Sequence, residues 1–335
     1  MPLNRSSSFP SRRQRWLPTS LVALGMLATL AGLAQAQDYP NKPIRIIVPT
    51  PAGSGPDVDI RQVGQRLSQL LGQSVVIENR PGAGGRIATE VVTKAPPDGY
   101  TLLLGTPGSV VIGPLLYPNL PYDAKTDLAP VSLISTTAYA LVTHVGVPAS
   151  DARAYVAMTH GRPEFANVGT LGVGSTQHLT SEWFNQVTQA HVKPVHYNTS
   201  NPYGDMIGGQ MSGMFEALLP LWGSVRQGKL KVLAITGKQR WPQLPEVPTF
   251  AESGYPAFDP LVWVGLLAPT GTPAASISKV SEALGQIARQ TDIVAQRREA
   301  FSESVGSTPQ AFAAFLDAER SKWGEVIRRA NIRLE

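Results

Sequence analysis

The residues best placed for chemistry in this chain are glycines, hydroxyls and a few isolated acids, all set in turns. In IRIIVPTPAGSGPDVDIRQVGQRL, residues 44–67, a β-branched run stops at prolines, a Gly-Ser-Gly turn follows, and Asp57 precedes apolar residues at helical spacing. Strand, Gly-rich turn and helix start place backbone N–H groups around a negative charge. The layout recurs in NRPGAGGRIATE at 79–90, in LGTPGSVV at 104–111 and in GTLGVGSTQHLTSEWF at 169–184, where Ser175 or Thr176 caps a helix. Several such turns in both halves of the chain suggest helix starts converging on a cleft from two sides. A carboxylate there gains roughly 0.3–1 kcal/mol from each exposed helix dipole. Charge-assisted bonds from amides and hydroxyls add ~1.5–3 kcal/mol each. Three or four together reach the roughly 8 kcal/mol of micromolar binding without an arginine clamp.

Other chemistries fit less well. GSGPDV keeps Gly53 and Gly55 of a dinucleotide fingerprint but has Val58 at the third glycine, and Pro56 lacks an N–H where a pyrophosphate needs donors. Glu78, which ends the second strand where a ribose-binding acid would sit, is the partial match in its favour. There is no Gly-x-Ser-x-Gly elbow, because Ala52 precedes Ser54 by two and Val173 precedes Ser175 by two. The chain has no cysteine, and its five histidines (His144, His160, His178, His191, His196) show no zinc spacing. His191 and His196 would point to opposite faces of one strand. No metal, cofactor or catalytic residue is expected, and an oxidoreductase is the weakest alternative. His178, in the first turn of a helix, is either a ligand contact or a packed histidine. Asp57 reads as an N-cap. Glu216, in GMFEALLP, ends an apolar run and is either a group for a cationic ligand part or a solvated rim residue.

The elements that must position these residues alternate. Strands are expected at Ile44–Val48, Val75–Glu78, Thr101–Leu104, Ala138–Val145, Ala166–Gly169, Val192–Tyr197, Met214–Ala217, Leu230–Ile235 and Val264–Ala268. Helical spacing is expected around Ile60–Leu70, Ile87–Val92 and Leu179–Val187. This is an α/β pattern with parallel sheets and helices on both faces. The chain ends in two helices, Pro273–Arg289 and Pro309–Asn331, the last with a core stripe of Phe312, Phe315, Leu316, Trp323 and Ile327. Without a linker tract, 335 residues suggest two domains with the chain crossing more than once, through STTAYALVTHV and KLKVLAITG.

The net charge of +5 depends on the N-terminus. Arg5, Arg12, Arg13 and Arg15 precede an apolar run, Leu21–Leu33, and the small-x-small site Ala34-Gln35-Ala36, which reads as a secretory signal peptide cleaved near Ala36. The run is short of the ~20 residues of a spanning helix. Removing those four arginines from 29 basic residues leaves 25 against 24 acidic, so +1, and no electrostatic motive for nucleic acid.

YPNKPIRIIVPTPAGSGPDVDIR, ENRPGAGG, PPDGYTLLLG, VGTLGVGSTQHL, GGQMSGMFEALLP and LPEVPTFAESG resemble the extracytoplasmic solute-binding proteins of tripartite tricarboxylate transporters, the Bordetella uptake gene (Bug) family. The resemblance runs from about Tyr39 to the C-terminus. It implies a two-domain, type II Venus-flytrap fold, each domain a central sheet flanked by helices. Domain 1 would hold residues 37–137 and 237–335, and domain 2 residues 138–236. It implies a periplasmic, monomeric, non-enzymatic protein that binds a small carboxylate or amino-acid-like ligand and passes it to membrane transporter subunits. An exported sensor for a signalling receptor is the alternative. By position, the implied ligand residues are Pro51, Ala52, Gly53 and Asp57, then Gly105, Thr106 and Gly108, then Gly174, Ser175, Thr176 and His178. Glu216 would meet the variable end of the ligand. The chain departs from the family at Ser54, where a second glycine is common, and at Asn198, Thr199 and Ser200, where Lys-Gly-Gly is common.

Overall fold

The computed structural model describes Met1, residues 39–197 and residues 202–334. The expected signal peptide (Met1 apart) and the departure at 198–200 therefore lie outside the described residues. Met1–Asn41 and Lys42–Glu335 separate into two units, and the second holds all the described strands and helices.

Ten strands form one mixed sheet. They are β1 (Ile44–Val48), β2 (Val75–Asn79), β3 (Thr101–Gly105), β4 (Leu128–His144), β5 (Asn167–Thr170), β6 (Lys193–His196), β7 (Gly213–Ala217), β8 (Leu230–Ile235), β9 (Leu261–Pro269) and β10 (Ser302–Ser304). The helices are α1 (Gly55–Leu71), α2 (Arg86–Thr93), α3 (Gly113–Leu116), α4 (Ala152–Gly161), α5 (Thr176–Thr188), α6 (Tyr203–Ile207), α7 (Trp222–Arg226), α8 (Ala274–Ala288), α9 (Thr291–Glu299) and α10 (Pro309–Ala330). The strand order is β2-β1-β3-β9-β4-β7-β5-β6, with β8 and β10 each pairing to β4.

β4 organises the sheet. Its first part, Leu128–Ala138, runs antiparallel to β9, and its Ser135–Thr137 also pair with β10. From Tyr139 onward it pairs with β7 on one side and, from Ala140, with β8 on the other. One 17-residue strand thus serves two sets of partners. The sequence pattern reveals only its second part, from Ala138. The first part, LAPVSLISTT, breaks its apolar run with Pro130, Ser132 and Ser135, yet both serines are buried. β1, β2 and β3 run parallel, as do β5, β6 and β7. The antiparallel β4 and β9 between them correct the expectation of purely parallel sheets.

Five helices escape the sequence pattern: the short α3, α6 and α7, and the longer α4 and α9. α4 begins at Asp151, whose carboxylate accepts from the Ala154 amide at 2.8 Å. α9 is polar and buries only Ile293 and Arg297, so it carries no apolar stripe to detect. With β10 it stands between the two expected C-terminal helices.

The expected stripe on α10 is core. Phe312 and Trp323 are fully buried, and the Trp323 ring lies 5.4 Å from that of Trp183 on α5. Phe184, Phe215, Phe250 and Phe258 cluster beside them in edge-to-face and tilted pairs, with centroids 4.7–6.4 Å apart. Each buried ring contributes on the order of 1.5–3 kcal/mol by leaving water. This packing fixes α5, and so its N-terminus, against α10.

Candidate functional site

Four turns follow the C-terminal ends of parallel strands, the edge at which α/β sheets bind ligands. After β1 the chain passes through Thr50–Ser54, with Gly53 at φ 81°. Ser54, not Asp57, is the N-cap of α1. Its hydroxyl donates to Thr50 Oγ1 at 2.7 Å and leaves the helix amides unserved. Asp57 lies one turn in and works backwards. It accepts from the Gly53 amide at 2.8 Å, from Asn79 Nδ2 at 2.8 Å and from Arg61 Nε at 2.9 Å. The Arg61 guanidinium, with the Gly53 and Asn79 donors, outweighs burial and holds the Asp57 carboxyl down to about 2. Asp57 is therefore a permanent anion, 1% exposed, that clamps the opening turn. Asp59 does not join it, because its partners are Arg297 and Ser135 on another side of α1.

The second and third turns pack on the first. A Cβ at Gly85 (φ 91°) would lie 2.7 Å from Ser109 Cβ and 3.1 Å from Pro49 Cβ, so only glycine allows this approach. After β3, the Thr106 amide donates to Ser109 Oγ at 3.0 Å and the Ser109 amide to the Thr106 carbonyl at 3.2 Å. Gly105 and Thr106 are thus held in a closed turn, and Gly108 opens a wide helical turn, Gly108–Ile112, that runs into α3.

The fourth turn follows β5. A Cβ at Gly174 (φ 76°) would lie 3.0 Å from Leu116 Cδ1 and 2.5 Å from Leu334 Cδ1. Leu116 ends α3, so the turns after β3 and β5 meet through that short helix. Ser175 is the N-cap of α5, its hydroxyl accepting from the His178 amide at 3.2 Å. His178 Nδ1 accepts from the Gly174 amide at 3.0 Å, so its proton sits on Nε2, which lies 3.9 Å from Glu182 Oε1. Burial, then the neighbouring His196 ring 4.6 Å away, pulls the His178 imidazole down to about 4. His178 is a neutral, packed residue that shapes its turn. His191 precedes β6 and pairs with His160 at 4.3 Å, whereas His196 ends β6, so the two never share a strand as expected.

These bonds decide which amides are spent. Gly53 and Gly174 give theirs to Asp57 and His178. Among the described residues, no protein acceptor serves the N–H groups of Gly55 and Asp57 in α1, of Gly108, or of Thr176 and Gln177 in α5. Pro51, Ala52 and Gly53 are exposed at the mouth of the opening turn, and Thr106, Gly108 and Thr176 are half-buried.

Glu216 is not a solvated rim residue. It ends β7 only 6% exposed and accepts from Gln177 Nε2 at 3.1 Å, Tyr203 Oη at 3.2 Å and the Ala217 amide at 2.9 Å. Burial raises its carboxyl, and the three donors only partly oppose this. Tyr139, fully buried on β4, stands beside it and beside the Thr176 hydroxyl. Gln177, Tyr203 and Tyr139 escape sequence reading. No motif marks them, because they meet only through β4, β7 and two helix starts.

The profile of the tripartite tricarboxylate transporter family receptors (TctC) matches residues 60–332. The chain belongs to that family. This TctC-family receptor is 33% identical to Bordetella pertussis BugT over 320 residues, which cover 94% of the chain and 98% of BugT. A solved periplasmic transporter is 34% identical over 89% of the chain and all of its own, with a TM-score of 0.78. A Rhodopseudomonas palustris protein solved with adipate is 31% identical, covers 88% of the chain and 99% of its own, and has the same TM-score. MatC from the same species, solved with malate, is 28% identical with a TM-score of 0.73, covering 86% of the chain and 100% of its own. The fold is thus the two-domain periplasmic-binding-protein fold, and the chain is a solute-binding receptor of Bug type.

Proposed function

We propose that this receptor captures a small carboxylated metabolite between residues 37–137 with 237–335 on one side and residues 138–236 on the other, and delivers it to a membrane transporter without chemical change. The observation that carries this reading is the set of unspent amides at Gly55, Asp57, Gly108, Thr176 and Gln177, on turns packed against one another. Amides fixed at helix starts need no reorganisation to replace water around a carboxylate. The neighbouring guanidiniums are engaged elsewhere: Arg61 on Asp57 and Asn79, Arg86 on the Tyr117 ring at 3.9 Å and the Ala83 carbonyl. The change of partners along β4 at Ala138–Tyr139, and the Tyr139 amide bonding to Thr236 Oγ1 at 2.8 Å, support a division there. The adipate and malate of the relatives support the ligand class.

Delivery requires that a transporter distinguish the loaded from the empty protein. The ligand must therefore bind the closed arrangement more tightly than the open one. The protein acts as an exported monomer, cleaved near Ala36. Titration with small carboxylates under small-angle scattering tests the core of this. Saturation should reduce the radius of gyration, and an unchanged radius would overturn closure. Mass spectrometry of the protein from its native host should find residues 1–36 removed.

A further inference from the structure

A surface cavity of about 370 Å³ opens between the loop that follows β8, one face of α9 and β10. None of its lining residues belongs to the four turns described above. We infer that it is a second binding site, for a small phosphate ester that carries hydroxyl groups. Arg240, Trp241, Arg298 and Ser304 bring hydrogen-bond donors to its wall. Arg240 gives Nε to the Glu252 carboxylate and Nη1 to the Pro245 carbonyl, which leaves Nη2. Among the described residues, nothing accepts from that Nη2, from the Arg298 guanidinium or from the Trp241 indole N–H. Ser304 Oγ is buried and bonds nothing. Two guanidiniums, an indole N–H and a hydroxyl exceed what the two oxygens of a carboxylate use. They suit the three terminal oxygens of a phosphate, which guanidiniums meet with paired N–H groups.

The walls are held before any ligand arrives. The Trp241 ring packs edge-on against the buried Phe301, centroids 5.8 Å apart, so that little more than its edge is accessible. Gln243 Nε2 donates to the Arg298 carbonyl at 2.6 Å, which ties the loop to the end of α9. Ser302 Oγ donates to the Thr136 carbonyl at 2.9 Å and anchors β10 on β4. Fixed walls keep the ordering cost of binding low. The volume falls among those of small-molecule sites, roughly 300–1,000 Å³, and leaves room for several carbons beyond a phosphate group. Glu303 is the acid on this wall, exposed and without a cation among the described residues. It disfavours a bare anion by like charge and accepts from a hydroxyl. An ester satisfies both ends of the cavity, its phosphate on the arginines and its hydroxyls on Glu303.

Calorimetry on the purified protein with glycerol 3-phosphate and with inorganic phosphate tests the inference. Glycerol 3-phosphate should bind the more tightly of the two. Arg298→Gln should weaken it roughly tenfold or more, because a charge-assisted contact is lost. Arg298 is exposed and its side chain bonds nothing in the fold, so this variant should stay folded. Trp241→Phe keeps a ring against Phe301, removes only the N–H, and should weaken binding by a smaller factor. Ser175→Ala, in the turn after β5, should leave this binding unchanged. Failure of both phosphates to bind at millimolar concentration, or binding untouched by either Arg298→Gln or Trp241→Phe, would overturn the site. A loss caused by Ser175→Ala instead would place the phosphate at the turns and equally overturn it. Equal affinity for the two probes would overturn the ester assignment.

Discussion

Asp57→Asn offers a quantitative test of how the opening turn is held. In the native protein Asp57 joins three elements: the Gly53 turn, Arg61 on the next turn of α1, and Asn79 at the end of β2. Its carboxyl falls from the ordinary 3.8 to about 2. At about 1.36 kcal/mol for each tenfold change in proton affinity, this corresponds to roughly 2.4 kcal/mol. Arg61 is 46% exposed on its side chain, so solvent screens part of it and about 2 kcal/mol is the figure to expect. The folded pKa is depressed, so this stability is fully present above pH 3.8 and is lost as pH falls from 3.8 through 2. Urea unfolding of wild type and Asp57→Asn at pH 7, 4, 3 and 2 reads it directly. The variant should be about 2 kcal/mol less stable at pH 7, and the gap should close towards pH 2. It should also bind carboxylates more weakly, because the Gly53 turn loses its anchor. A gap that stays constant from pH 7 to 2 would refute the view that ionised Asp57 clamps this turn.

Three further substitutions probe other parts of the site. Ser175→Ala removes the α5 N-cap and should cost about 1 kcal/mol in thermal unfolding. It should also weaken carboxylate binding by about 1–3 kcal/mol, and unchanged affinity would remove Ser175 from the site. Gly85→Ala places a methyl 2.7 Å from Ser109 Cβ at φ 91°, and should cost about 1–3 kcal/mol in urea unfolding. Arg297→Met strips the buried partner from Asp59 and a 2.6 Å donor from the Ile134 carbonyl, and should cost about 3 kcal/mol in the same assay. His178 should titrate near pH 4 by NMR. Because its neutral form is favoured in the fold, its contribution to stability is present above pH 6.5 and is lost as pH falls from 6.5 to 4.

The candidate turns are legible because their signals are local. A β-branched run, a glycine that must take positive φ and a helix start fall within a dozen residues, as in VGTLGVGSTQHL. The roles inside those turns are less legible. Asp57 reads as a cap until Arg61 and Asn79 are seen around it, and Gly174 reads as a free donor until His178 is seen accepting from it. Asn79 lies 22 residues from Asp57, and Gln177 lies 39 from Glu216. Such pairs leave no periodic trace.

By itself the sequence determined the α/β alternation, the four glycine turns with the helices they start, the apolar stripe of α10 and the family to which the chain belongs. The first three follow from backbone sterics and hydrophobic period, which act over a few residues, and the family follows from the resemblance of its motifs. Tertiary structure decided that β4 serves two sets of partners, which amides are spent and which are open, and that Glu216 is buried without a cation among the described residues. Those properties depend on which distant groups share a low-dielectric space, and burial and hydrogen-bond competition are settled only when the strands have paired.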